Sequence, residues 1–247
     1  MRKAIFKVLM LFVSMSALAQ SKVAIPLNEH FYPLGQGAGQ HVYNMEESIA
    51  SDSKKTYKIY SLEGVLVKES RSSFLKIDGE SVSYEEEKLY DSSGMLDFTR
   101  LEIKGIKTNQ VKILVDNEIV SEIKCEGDCS GYVILPDGEK LLIDRDIFKP
   151  SFTDQNVFDL WLREVLTYPL IARRKGAQGD VWVGAEIDES GQLVQYKIMN
   201  NLSVDKSLID EVNRVLRKYK GGFIPAKNLK GETIQAWMYF PVKFRLG

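Results

Sequence analysis

From Tyr43 to Arg145 apolar and polar residues trade places at every second position, and the runs are cut at near-regular intervals by turn residues. Tyr57-Lys58-Ile59-Tyr60 leads into Glu63-Gly64, Phe74-Leu75-Lys76-Ile77 into Asp78-Gly79, and Lys88-Leu89-Tyr90 into Ser93-Gly94. Val111-Lys112-Ile113-Leu114-Val115 precedes Asp116-Asn117, and Tyr132-Val133-Ile134-Leu135 precedes Pro136-Asp137-Gly138. A period of two sends alternate side chains to opposite faces of a strand, and Asp-Gly or Ser-Gly between strands reverses the chain within a few residues. The pattern predicts hairpins in series, an antiparallel β-meander over residues 43–149. The acidic run Glu85-Glu86-Glu87-Lys88 reads as a solvated connection within it.

After Ser151 the period changes. Asp154 stands as an N-cap before Val157, Phe158, Trp161, Leu162 and Val165 at helical spacing, and Pro169 stops that helix after Leu166. A further short turn, Leu170 to Lys175, ends on Arg173-Arg174-Lys175-Gly176, with cations where a helix C-terminus favours them. Val181, Val183, Ala185 and Ile187 then alternate with Trp182, Gly184, Glu186 and Asp188, and Glu189-Ser190-Gly191 turns the chain into Leu193–Met199. Leu208, Ile209, Val212, Val215, Leu216 and Tyr219 form an amphipathic helical stripe over Asp205–Lys220, closed by Gly221-Gly222. Last, Ile234, Ala236, Met238, Phe240, Val242 and Phe244 alternate with Gln235, Trp237, Tyr239, Pro241, Lys243 and Arg245. Pro241 has no N–H to give to a ladder, which places this strand at a sheet edge. The chain is thus α+β, with a domain at 150–247 following the β-rich domain at 43–149.

The N-terminus follows a different plan. Arg2, Lys3 and Lys7 flank the apolar run Val8-Leu9-Met10-Leu11-Phe12-Val13, and Ala17-Leu18-Ala19 offers a small-residue cleavage site. This reads as a secretory signal peptide, residues 1–19, whose apolar stretch is short of the about 20 residues a bilayer core requires. Retention of residues 1–20 as a membrane anchor is the alternative reading. Residues 20–42, with Pro26, Pro33 and Gly35-Gln36-Gly37-Ala38-Gly39, have no usable period and read as a flexible lead-in. Export places the mature protein in the periplasm.

Composition excludes several functions. With 33 Lys and Arg against 34 Asp and Glu, nothing draws the chain generally to a phosphate backbone, and no nucleic-acid partner is expected. Cys125 and Cys129, in Cys-Glu-Gly-Asp-Cys, lie in a turn-like segment; after export they form either a short-range disulfide or a pair of reduced thiols. A structural metal needs four N or S ligands, and the two histidines, His30 and His41, lie far upstream, so neither metal nor cofactor is expected. Both histidines fall in the lead-in, away from any nucleophile they might activate, and no Gly-x-Ser-x-Gly or His-Glu-x-x-His motif is present. The reading is of a protein that is not an enzyme.

Two resemblances add to this. Tyr60-Ser-Leu-Glu-Gly64-Val-Leu and Tyr90-Asp-Ser-Ser-Gly94-Met-Leu share a frame that resembles MORN/YwqK-like hairpin repeats, although any hairpin rich in Tyr and Gly produces it. Tyr168-Pro169 with Ala172, Gln178-Gly179-Asp-Val-Trp-Val, Ile187-Asp188 with Gly191-x-Leu193, Phe223-Ile-Pro225-Ala226 and Tyr239-Phe240-Pro241-Val242-x-Phe244 resemble, in that order, a TonB C-terminal domain over residues 154–247. That resemblance implies two helices packed on a three-stranded antiparallel sheet, whose edge receives an extended peptide, the TonB box of an outer-membrane transporter. It implies a protein or peptide partner, with a homodimer as a further possibility. Gln235, Trp237 and Tyr239 are the peptide-binding candidates because their row adjoins the edge; Tyr168, Pro169 and Gly179 are candidates because they match the family's motif. An energy transducer of this family carries a membrane helix with a functional His and a long Pro-rich spacer. Here residues 1–20 hold no His and the chain has seven prolines, so the expected function is binding in outer-membrane transport, with a membrane-anchored transducer or a dimerising envelope scaffold as alternatives.

Overall fold

The computed structural model describes residues 24–34, 40–51, 54–77, 80–105 and 109–246. The signal segment, the Gly35–Gly39 run and the Asp78-Gly79 turn lie outside the described residues. Ten strands follow one another in space as they do in sequence: β1 (Ile25–Leu27), β2 (Tyr43–Ser51), β3 (Lys54–Ser61), β4 (Leu66–Ile77), β5 (Glu80–Tyr90), β6 (Leu96–Lys104), β7 (Asn109–Val115), β8 (Glu118–Glu126), β9 (Asp128–Ile134) and β10 (Lys140–Ile143). Then come β11 (Ser151–Phe152), α1 (Gln155–Val165), α2 (Leu170–Lys175), β12 (Gly179–Ile187), β13 (Leu193–Ile198) and α3 (Lys206–Leu216). The short β14 (Phe223–Ile224), β15 (Ala226–Lys227) and β16 (Thr233–Ile234) precede the closing β17 (Ala236–Phe244). The architecture is the expected one, a long antiparallel meander and a C-terminal unit with a three-stranded sheet in the order β13-β12-β17.

One turn recurs through both parts. At Ser61–Val65, Asp91–Met95, Leu135–Glu139, Asp188–Gln192 and Asn228–Glu232 the first N–H donates to the fifth carbonyl and the fourth N–H to the first. The fourth residue is Gly64, Gly94, Gly138, Gly191 or Gly231, each at φ between 80° and 84°. This is a type I turn closed by a left-handed residue, and Gly adopts that conformation without a Cβ penalty. Asn28–Tyr32 repeats the same two bonds, but its fourth residue is Phe31, at φ 59°. The Tyr60 and Tyr90 frames occupy similar places, Tyr60 next to last in β3 and Tyr90 last in β5, pairing with Leu66 and Leu96.

Three expectations need correction. The lead-in contributes β1, with Leu27 fully buried; β1 bonds β2 on one side and bridges Leu27 to Pro33 on the other, an arrangement the prolines concealed. Glu85–Lys88 is the middle of β5, where the Lys68 ammonium meets Glu87 at 2.6 Å and so neutralises a charge that the local sequence leaves without a partner. The helix at 205–220 ends at Leu216, and Lys218 and Tyr219 continue as tighter turns that fold Tyr219 over Gly221 and edge-on to Phe158, at 5.2 Å between ring centroids.

The meander is held at its end by Ile123, Val133, Ile143 and Ile147. There Gly131 lets β9 lie close against its neighbour β8, since a Cβ would lie 2.2 Å from Glu122 O. Cys125 and Cys129 face each other across the same hairpin and are joined, with an S–S distance of 2.02 Å. In the C-terminal unit, α1 and α3 cover the inner face of the sheet. Val181, Val183, Leu208, Val212, Val242 and Phe244 form one cluster; Phe152, Phe158, Ala185, Ile187 and Met238 form the next. Asp154 caps α1 by accepting Val157 N–H, and Asp205 caps α3 by accepting Ser207 N–H.

Glu211 ties the two helices together. Its carboxylate accepts Thr167 N–H and two guanidinium N–H groups of Arg214, while Arg214 also donates to Val165 O at the C-terminus of α1. Burial pushes the Glu211 carboxyl up, but the Arg214 and Thr167 hydrogen bonds outweigh it and hold it below the ordinary value of 4.5. A depressed folded-state value means this contribution is present above the unfolded pKa and is lost as pH falls through the folded one. Glu211→Ala, which strands Thr167 N–H, is expected to cost about 2 kcal/mol in urea unfolding, with the difference from wild type shrinking below pH 4.5. Gly131→Ala forces the β8–β9 backbones apart and is expected to cost about 1–3 kcal/mol, lowering Tm without changing the helical signal.

Candidate functional site: the outer edge of the C-terminal sheet

β17 has a neighbour on one side only, and the register decides which of its backbone groups are left over. Trp182 N–H donates to Asn200 Oδ1 at 2.9 Å, and Trp182 O accepts Met199 N–H at 2.8 Å, both on the β13 side of β12. Trp182 stands opposite Pro241, so this pair exchanges no hydrogen bonds and the backbone at 241 points away from β12. Bonded and non-bonded pairs alternate along an antiparallel ladder. Trp237, Tyr239 and Lys243 therefore also aim their N–H and C=O groups at the open edge, while Met238, Phe240 and Val242 bond to β12. Proline sits where its missing N–H removes nothing from the ladder.

The same alternation places Trp237, Tyr239 and Lys243 on the outer face, away from the helices. Across the strands one row runs Lys197, Gly184, Tyr239 and the next runs Gln195, Glu186, Trp237. Glu186 accepts from both Gln195 and Gln235, at 2.7 and 2.8 Å, and those hydrogen bonds hold its carboxyl below the usual range. Gly184 leaves no room for a side chain, since a Cβ would lie 2.9 Å from Met199 Cε and 3.1 Å from Tyr239 Cε1.

The outer face is not bare. The Asn28–Tyr32 turn reaches across from the meander and sets His30 edge-on to Trp237, at 4.4 Å between centroids, with His30 Nδ1 3.1 Å from the Tyr239 hydroxyl. Glu29 pairs with Lys197, whose ammonium also lies 5.3 Å from the Trp237 ring centre. The His30 side chain is 5% exposed, and its Nε2 is buried 3.3 Å from Glu29 Oε1. Burial lowers the His30 pKa, and the nearby Lys197 charge adds to the effect. Burial also pushes the Tyr239 hydroxyl up to about 12, helped by the negative charges of Glu29 and Glu186.

The six sequence candidates fall into two groups. Gln235, Trp237 and Tyr239 adjoin one another at the start of β17. Tyr168, Pro169 and Gly179 gather at its far end, where Gly179 stands opposite Phe244. The Tyr168 hydroxyl donates to Ala177 O and its ring meets Phe244 edge-on at 5.6 Å; Pro169 is the N-cap residue of α2, and Gly179 starts β12 at φ 150°. All three are accounted for by the helix-to-strand turn. No sequence pattern marks Glu29, His30, Glu186 or Lys197 as residues of this face. The His30 to Tyr239 contact spans 209 positions, and no local periodicity signals it. Among the described residues no group of three or more His, Cys, Asp or Glu converges as metal ligands, and no helix is long and apolar enough to cross a membrane.

No curated protein and no solved structure matched the chain in the comparisons made. Residues 164–246 match the family model described as Gram-negative bacterial TonB protein C-terminal. The match takes in the end of α1, the β12–β13 hairpin, α3 and the open-edged β17, so this stretch of the chain is similar to the C-terminal region of TonB proteins.

Proposed function

We propose that this chain is a non-catalytic periplasmic protein. Its C-terminal region takes a strand-like segment of an outer-membrane transporter, a TonB box, onto the outer edge of β17 in transport across the outer membrane. The observation that carries this reading is the edge itself. Trp237, Tyr239 and Lys243 present backbone donors and acceptors to open space in a region of the TonB C-terminal family. An added strand satisfies those groups, and its alternate side chains meet the outer row, which supplies specificity. Residues 1–19 act as a cleaved signal peptide in this reading, residues 43–149 form a separate β-rich domain, and the absence of a Pro-rich spacer argues for a binder or adaptor over a motor-coupled transducer.

Synthetic TonB-box peptides of the transporters in the same cell are expected to bind the full mature chain in titration calorimetry. Lys243→Pro removes an edge N–H and leaves the β12 ladder whole; it is expected to weaken binding by about tenfold, the equivalent of one hydrogen bond, with little change in Tm. No binding by any transporter peptide would defeat the proposal. Mass spectrometry of soluble and membrane fractions is expected to find a soluble form beginning at Gln20, whereas an intact Met1 terminus in the membrane fraction would point to the anchored alternative.

A further inference from the structure

The hairpin of β15 and β16 lies against the connection that follows β10, where Lys227 N–H donates to Ile147 O, and a groove opens between the two and the meander. Its volume is about 320 Å³, within the range of small-molecule sites. Ile113 of β7, 3% exposed, forms the buried part of its wall, and Phe98 of β6, Phe148 of the connection, and Leu229 and Ile234 of the hairpin stand half-buried around it. Leu229 is the residue whose place needs explaining. It holds the second position of the Asn228–Glu232 turn, where the corresponding Leu62, Ser92, Pro136 and Glu189 of the other glycine turns are exposed. Here the side chain is half-buried along the groove.

Two properties of the walls select an occupant. The first is their backbone. Lys227 N–H donates to Ile147 O, Asn228 N–H to Glu232 O, Lys230 N–H to Asn228 Oδ1 and Phe148 N–H to Asp146 Oδ1, while Ile113 lies between paired strands on both sides. A peptide brings an N–H and a C=O at nearly every residue and loses their hydration on entering a groove whose own donors are already given away. A hydrocarbon chain has no such groups to strand, and gains by leaving water. The second property is charge. The charged residues along the groove are Lys227 and Lys230 against Asp97, so its rim favours an anionic head over a cationic one.

We propose that this groove binds a free single-chain fatty acid, the alkyl chain lying among Phe98, Ile113, Phe148, Leu229 and Ile234 and the carboxylate meeting Lys227 and Lys230 at the rim. The site goes beyond strand addition at β17 and does not rest on it. A bound chain touches the meander and the β15–β16 hairpin together, so occupancy stabilises the folded protein as ligand concentration rises.

The test is titration calorimetry of the full mature chain with octanoate, nonanoate and decanoate, each below its micelle-forming concentration, and with uncharged 1-decanol. Affinity is expected to rise about fourfold with each added methylene, and decanoate to raise Tm. Leu229→Asp, at the tip of a turn, places a carboxylate in the groove and is expected to weaken decanoate and 1-decanol alike, by about tenfold or more. Lys227→Glu with Lys230→Glu is expected to weaken decanoate by about fivefold and leave 1-decanol unchanged, whereas Asp97→Asn, at an exposed position, tightens decanoate by about twofold. The last variant keeps the charge assignment testable if the lysine pair proves necessary for folding. Absence of binding by all three acids would overturn the proposal, as would decanoate binding that Leu229→Asp leaves intact, which would place the acid elsewhere on the protein. Decanoate affinity that none of the charge variants alters would overturn the assignment of an anionic ligand.

Discussion

The fold depends on reversing an extended chain within three residues, again and again, at little conformational expense. A type I turn closed by a left-handed residue does this at Gly64, Gly94, Gly138, Gly191 and Gly231, and at four of the six positions where the motif occurs an Asn or Asp at its head accepts two further N–H groups of the loop. Tight reversals permit only antiparallel neighbours, so β3 and β4, β5 and β6, and β9 and β10 must lie side by side within the single file of the first ten strands. A sheet laid down in sequence order has two open sides along its length and needs a cover at the end where its apolar residues collect. The connection after β10 provides it, with Ile147 packing into the Ile123, Val133 and Ile143 cluster.

That connection also joins the two parts. Lys227 N–H donates to Ile147 O at 2.7 Å, and Arg145 reaches Pro225 O at 3.3 Å. Together with Glu29 and Lys197 they fix the C-terminal sheet against the meander at two separated points, one through the backbone and one through charge. Its inner face is closed by aromatic packing of Phe158, Tyr219 and Phe240, while β17 keeps one side of its backbone unpaired within the sheet.

Local chemistry made much of this legible. Strand periods, Asp154 and Asp205 as caps, Pro169 as a stop and Pro241 as an edge marker each act through their immediate neighbours, so the order of elements could be read from residues alone. What escaped reading were contacts made at a distance. Pro26 and Pro33 made residues 20–42 look unstructured, yet Leu27 is fully buried because two partners flank it. Glu85–Lys88 looked solvated because its neutralising partners are on β4, close in space and remote in sequence. Trp237 and Tyr239 stood out as aromatic surface, while the histidine resting on them read only as a catalyst without a site.

Pro241 has a consequence for whatever lies along β17. Its neighbours Tyr239 and Lys243 each offer a donor and an acceptor, but Pro241 offers its carbonyl alone. A second strand therefore meets a ladder with one rung half missing, and the carbonyl it brings to that spot has to keep its water or curve away. Sliding the guest by two residues moves a different carbonyl into the gap. The imino acid thus acts as a fixed mark along an otherwise uniform backbone, against which alternative alignments of the same peptide differ in energy.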